Sequence, residues 1–254
     1  MVGLEEIMLR SVDEVTGYVL DAQDGEIGRC KGFLFDDESW TVRYMVADTR
    51  KWLPGRKVLI SPISLAEPDW ESNRFPVHLT KDEVKGAPLL RQDEPVSRQE
   101  EESIHKYYGY PYYWVGMELW GLAANPTVLR NAAQERLLEM PEEEGDPHLR
   151  SAEEVMGYHI AAQDGEIGHV EDFILDDETW TLRYLVVDTR NWLPGRKVLI
   201  SPTWAREFDW AAEKAFIDLT QEEVKNSPVY EPRAPVNRDY EARLYDYYGR
   251  PVYW

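Results

Sequence analysis

The sequence predicts a mainly β protein: two small antiparallel β-barrels with short helices, packed as a pseudo-two-fold pair. Three observations predict it. Residues 10–114 and 150–254 align without a gap, with about half of the aligned positions identical. Within each repeat, short apolar stretches of period two are separated by closely spaced turn residues, the pattern of a small barrel or sandwich. Helical signals are confined to short stretches near the end of each repeat. A repeat this long is a whole domain, not a solenoid unit. The domains are therefore residues 10–114, a unique helical and acidic linker over 115–149, and residues 150–254. Two-fold closure is the commonest way for like units to pair, so the chain reads as an intramolecular pseudo-dimer.

Each repeat opens on a polar lead-in, Arg10–Glu14 or Arg150–Glu154. A short strand follows over 18–22 and 158–162. Asp24-Gly25 and Asp164-Gly165 then turn the chain, since the favoured tight hairpin turn needs positive φ. The next strand, 26–35 and 166–175, carries apolar residues at both parities, which predicts a bulge or strong curvature. After the acidic turns Asp36-Asp37-Glu38 and Asp176-Asp177-Glu178, Val42, Tyr44 and Val46 alternate with polar neighbours, as do Leu182, Tyr184 and Val186. That is a half-buried strand. Leu53-Pro54-Gly55-Arg56 is a turn. Strands follow over 57–61 and near 75–79 and 215–219, and Tyr44, Phe33, Val46, Val58 and Ile60 form the expected core. Thr80 and Thr220, each with Glu three residues on, start a helix. A second helix spans 98–108 and 238–248. Residues 127–140 have helical spacing, and 141–147 form a charged, extended linker.

Composition narrows the function classes. The chain holds 28 basic against 48 acidic residues, a net charge of −20. A surface of that sign repels phosphate backbones and anionic lipid, which argues against nucleic acid as a partner. A single cysteine, Cys30, forbids an internal disulfide and fits a reducing cytoplasm. Its repeat partner is Val170, so it reads as a small buried apolar residue. No apolar run is long enough to span a bilayer, and the N-terminus lacks a signal-peptide pattern, so neither an integral membrane anchor nor export is expected.

Chemistry that both copies perform should appear in both. The five histidines, His78, His105, His148, His159 and His169, have no histidine twin, and none has metal-ligand spacing. The acidic turns lack the spaced oxygen pattern of a calcium loop. No nucleophile motif or phosphate-cradling loop is present. The expectation is no catalytic residue, no metal and no cofactor.

Two duplicated features remain. The run WLPGRK sets Trp52 and Trp192 beside Arg50, Arg56, Lys57, Arg190, Arg196 and Lys197, a composition enriched at the centres of protein interfaces. These are the candidate binding residues. The aromatic endings hold Tyr107, Tyr108, Tyr113 and Trp114 in one repeat and Tyr247, Tyr248, Tyr253 and Trp254 in the other. Rings of this size bury large areas, so they are the candidates for packing between the repeats.

The run from Gly157-Tyr158 through Asp164-Gly165-Glu166-Ile167-Gly168, Asp172-Phe173, Asp176-Asp177, Trp180, Arg183-Tyr184 and Val187-Asp188-Thr189-Arg190 resembles the PRC-barrel family. The first repeat resembles it from Gly17-Tyr18 onward, with Gly32 in place of Asp172. Within the family the pattern is similar to the cytoplasmic domain of the photosynthetic reaction-centre H subunit. The resemblance implies a small, strongly bent barrel used as an interaction module. It makes the expected function a non-catalytic, cytoplasmic protein-binding or scaffold module whose partner is another protein or protein complex. Two alternatives follow from the same resemblance: a reaction-centre H-subunit-like protein on a membrane electron-transfer complex in photosynthesis, or a ribosome-associated maturation factor.

Overall fold

The computed structural model describes residues 9–49, 51–54, 56–90, 95–133, 148–189, 195–232 and 236–254. They form two compact units: Glu14–Ala152, and Glu153–Trp254 together with residues 9–13. In chain order the first repeat supplies β1 (Leu9–Ser11), α1 (Val12–Val15), β2 (Val19–Ala22), β3 (Gly25–Asp36), β4 (Thr41–Asp48), β5 (Val58–Ile60), β6 (Arg74–Pro76), α2 (Lys81–Gly86) and α3 (Arg98–Tyr108). The unique segment carries α4 (Pro126–Ala133). The second repeat supplies β7 (Leu149–Ser151), α5 (Ala152–Val155), β8 (His159–Ala162), β9 (Gly165–Asp176), β10 (Leu182–Asp188), β11 (Lys197–Ile200), β12 (Ala205–Asp209), β13 (Lys214–Ile217), α6 (Gln221–Asn226) and α7 (Arg238–Tyr248).

The protein is mainly β, with one sheet per unit and few, short helices. One sheet runs β5-β4-β3-β2-β6 with β7 also on β3; the other runs β11-β10-β9-β8-β13-β12 with β1 also on β9. Two details correct the expected antiparallel barrels. Neither sheet closes: β5 and β6 are the ends of one path, β11 and β12 the ends of the other. In each sheet one pairing is parallel, β2 with β6 and β8 with β13. Pro62 and Pro202 open a one-turn 3₁₀ helix straight after β5 and β11. Proline lacks the donor that would extend the ladder, so the chain leaves the sheet and returns at its far edge, beside β2 or β8. Turn signals are local and carry no information about that non-local pairing.

The expected irregularity of the long strand is present. Register shifts interrupt β3 against β4 and β9 against β10. Glycine is required at one position in each. Gly28 has φ +144 and Gly168 φ +153, and a Cβ there would lie 2.2 Å from the Asp48 carbonyl oxygen or 2.0 Å from that of Asp188.

β3 is 12 residues long, while β2 has only four. β2 pairs with β3 from Gly25 to Arg29, and β7 takes the same edge further on, Leu34 to Asp36. In the other unit β8 covers the start of β9, and β1 pairs with Ile174, Leu175 and Asp176. Each repeat thus donates its opening strand to the sheet built from the other repeat. The donated strand hides backbone groups that would otherwise be an open edge. Side chains secure it. Ser11 Oγ donates to Asp172 Oδ2 and the Asp13 amide to Asp172 Oδ1 at 3.1 Å. Arg150 Nε donates to Asp37 Oδ2 at 2.9 Å.

The cores match the expectation closely. Phe33, Tyr44, Val58 and Ile60 are buried; Val46 is half-buried beside Leu34 and Tyr44. α2 and α6 start on the expected capping boxes, Thr80 with Glu83 and Thr220 with Glu223. α3 and α7 end on Gly109 and Gly249 in the left-handed region. Cys30 is 1 % exposed, and burial pushes its thiol up to about 12. A thiol reagent at pH 8 should therefore leave native Cys30 unmodified and label it only in denaturant; stoichiometric labelling of the native protein would contradict its placement.

Candidate functional site

The WLPGRK loop follows β4. Arg50, Arg190 and Trp192 lie outside the described residues. Trp52 is half-buried, and its indole Nε1 donates to the Ile27 carbonyl at 2.7 Å. Arg56 donates to the carbonyls of Lys85 at 2.5 Å and Ala87 at 2.6 Å, at the C-terminal end of α2. Arg196 donates likewise to the Ser227 carbonyl after α6. A guanidinium there satisfies carbonyls that the helix leaves without an internal partner. Lys197 pairs with Glu171 at 2.6 Å, both about one-third exposed. The described groups of this loop are thus engaged inside their own unit, fastening the loop to the helix that follows the sheet.

The aromatic endings follow α3 and α7. Tyr107 and Tyr247 each donate to a helix carbonyl, Glu83 at 2.9 Å and Glu223 at 2.8 Å. Tyr108 stacks on Tyr110, and Tyr248 packs on Trp204. Tyr113 donates to Glu101 Oε1 at 2.6 Å, and Tyr253 to Glu241 Oε1 at 2.7 Å. Trp114 lies under the guanidinium of Arg98 at 4.4 Å, and Trp254 under that of Arg238 at 4.2 Å. Every hydrogen bond and ring contact described for these eight rings falls within their own unit. What the repeats exchange is the opening strand.

Each unit buries a glutamate, on α3 in one and on α7 in the other. Glu101 is fully buried and pairs with Arg98 Nη1 at 2.8 Å; Glu241 is 2 % exposed and pairs with Arg238 Nη1 at 3.1 Å. Tyr184 donates to Glu241 Oε1 at 2.7 Å. Burial pushes the Glu101 carboxyl above its usual range, against the pull of Arg98. In the first repeat Tyr44 meets His105 Nε2 at 3.1 Å, and His105 Nδ1 meets the Pro111 carbonyl at 2.8 Å. Burial lowers His105 to about 4. An Arg–Asp pair lies at the start of β4 and β10: Arg43 with Asp36 at 3.5 Å, Arg183 with Asp176 at 2.6 Å. Asp36 and Asp176 also accept from the turn amides that follow them, so the acidic turns are built around that pair. Among the described residues no cluster of His, Cys, Asp and Glu has a metal-holding arrangement.

The unique segment sets the first repeat apart. The unique segment folds over the first repeat's aromatic ending. Its Glu118 and Gly121 bridge each other at 3.0 and 3.1 Å, Gly116 and Gly121 have positive φ, and Trp120 is fully buried. Arg43 lies between Tyr113 at 4.0 Å and Trp120 at 5.0 Å and donates Nη1 to the Leu119 carbonyl at 2.7 Å. Arg183 has Tyr253 at 4.0 Å on one side, and no second ring or carbonyl among the described residues.

Sequence reasoning missed Glu101, Glu241, Arg98 and Arg238, although all four are duplicated at i, i+3 on a helix. They read as solvated charge. It missed Trp120 because the unique segment has no twin to compare.

Among the described residues no helix is long and apolar enough to cross a membrane. No curated protein matches the chain. Residues 150–224 match the model of the PRC-barrel domain, from β7 to α6; α7 and the aromatic ending lie beyond the match.

Proposed function

We propose that the protein is a non-catalytic, cytoplasmic binding module made of two PRC-barrel repeats, and that its partner is a protein. The identity between the two repeats supports extending the PRC-barrel reading from residues 150–224 to the first repeat. One observation carries the functional reading. Among the described residues, Trp52, Arg56, Arg196 and Lys197 of the repeated loop bond inside their own unit, whereas large apolar side chains stand in water: Leu89, Met117, Leu122, Val128, Val229, Val252 and Trp254. Exposed apolar side chains mark an interaction site where they gather into one patch. The acidic surface favours a partner without extended negative charge.

Chemical crosslinking of the tagged chain in its native cells, followed by peptide mapping, tests this. The expected result is a recurrent protein partner crosslinked near these apolar positions. Its identity separates a membrane electron-transfer complex, a ribosomal protein and a third class. A chain that returns only internal crosslinks, and that turns over a small molecule, would contradict the reading.

A further inference from the structure

Two histidines that sequence spacing keeps apart meet across a β ladder. His159 and His169 stand on opposite arms of the hairpin that turns at Asp164-Gly165. In the sheet they are register partners, His159 in β8 directly across from His169 in β9. Directly opposite residues of an antiparallel pair project from one face. The Val170 amide donates to the Tyr158 carbonyl at 2.9 Å, just beside the pair, and the His159 amide donates away from β9, to the Glu213 carbonyl at 2.9 Å. The two histidines are thus a non-hydrogen-bonded pair, the kind whose side chains stand closest, with Cβ atoms about 4.5–5.5 Å apart.

The surroundings suit a cation. His159 is exposed and His169 half-buried, so both imidazoles reach solvent and can turn onto a shared ion. Asp188 in β10 is the register partner of His169 on its other side. Lys214 in β13 is the partner of His159 on its other side, and Glu166 balances it at 2.8 Å. Lys214 holds the Glu166 carboxyl below its ordinary range, and a smaller pull from His159 shows that this carboxylate lies near the pair. A net charge of −20 raises the local concentration of cations. The first repeat has Val19 and Arg29 in the same register, so of the two hairpins the second alone offers two nitrogen donors.

We propose that His159 and His169 form a chelating site for a divalent transition-metal ion that prefers nitrogen donors, with Cu²⁺ bound most tightly. Imidazole suits Cu²⁺, Ni²⁺ and Zn²⁺, and affinity for a given set of donors peaks at Cu²⁺. Among the described residues no third His, Cys, Asp or Glu joins the pair as a ligand, so the ion keeps its remaining positions for water or an outside donor. The bound ion ties β8 to β9 and favours the folded hairpin over the unfolded chain. The site stands on sheet register and is independent of the binding-module reading.

The full chain, without a histidine tag, is titrated with Cu²⁺ at about pH 7.5, where imidazole ligands are mostly deprotonated. Calorimetry reads the stoichiometry and electron paramagnetic resonance the ligands. One ion per chain is expected at the tightest site, with two imidazole nitrogens in the Cu²⁺ spectrum. The melting temperature should rise with Cu²⁺, by mass action on the folded state. His159→Val and His169→Arg install the residues that the first repeat carries at the same ladder positions, so the sheet tolerates them. Each should weaken binding about tenfold or more and remove the thermal shift, because a second imidazole on the same scaffold acts at high effective concentration. His78→Ala, at an exposed histidine of the first repeat, should change neither.

No saturable binding, a spectrum with a single nitrogen, or binding indifferent to His159→Val would overturn the proposal. One ion per two chains, with a Cu²⁺-dependent dimer in the ultracentrifuge, would draw the two imidazoles from different chains and overturn it as well.

Discussion

Glu101→Ala should cost the Glu14–Ala152 unit roughly 3–5 kcal/mol, the loss typical of removing one partner from a buried ion pair. The carboxylate accepts from Tyr113 and pairs with Arg98, and the unit closes over all three. Without it the Tyr113 hydroxyl loses its acceptor and the Arg98 guanidinium keeps only the Tyr113 oxygen, at 3.1 Å, in a dry site, and the lost charge pairing is not recovered from water. Glu101→Gln keeps an acceptor and should cost less. The twin change, Glu241→Ala, should cost less than Glu101→Ala, because Arg238 is 35 % exposed against 11 % for Arg98, and water reaches its guanidinium. Urea unfolding followed by hydrogen exchange, resolved by unit, reads all three. Equal losses in the two units would show that the cap over the first aromatic ending adds nothing to its dryness.

His105 should make the same unit acid-sensitive. Its imidazole is buried against Tyr44 and the Pro111 carbonyl, and burial lowers it from 6.5 to about 4. The unfolded chain therefore takes up a proton that the folded one refuses. The contribution is fully present above about pH 6.5 and is lost as pH falls towards 4, with about 2 kcal/mol gone by pH 5. Glu101 works in the opposite direction: its raised folded value favours the folded state most at low pH and declines as pH rises through that value. The net loss is smaller than His105 alone would give. His105→Tyr, which installs the residue found at the twin position 245, should flatten the dependence between pH 7 and 5. A variant that stays as acid-sensitive as the parent would assign the effect to another group.

Much of the fold was legible because its signals are local. Asp24-Gly25, the alternation of Val42 and Tyr44, and the Thr80–Glu83 capping box each determine a turn, a strand or a helix start from a few neighbouring residues. The span of α3 and α7 follows in the same way from their caps and closing glycines. The exchange of opening strands was not legible, for a physical reason. Leu9-Arg10-Ser11 and Leu149-Arg150-Ser151 are identical, so neither strand states which sheet it prefers. One difference discriminates them: Asp172 offers Ser11 an acceptor where the first repeat has Gly32. The parallel return of β6 and β13 was hidden because it closes a long loop. β12 was hidden too, since its first-repeat counterpart makes only isolated bridges, Leu65 with Val77 and Asp69 with Arg74. In the candidate site, the aromatic endings were recognised as packed elements, but their anchor was not, because a glutamate on a charged helix looks like any solvated glutamate until its two tyrosine partners are brought to it.

The central structural claim is that each unit is completed by the opening strand of the other repeat. Disulfide trapping tests it directly. In a Cys30→Val background, Ser11→Cys is combined either with Ile174→Cys, its partner across β1 and β9, or with Leu34→Cys, the twin position in its own repeat. Mild oxidation of the monomer should give an internal disulfide in the first pair and none in the second, read by peptide mapping. A disulfide to position 34 and none to 174 would show that each repeat keeps its own strand, and would contradict the account.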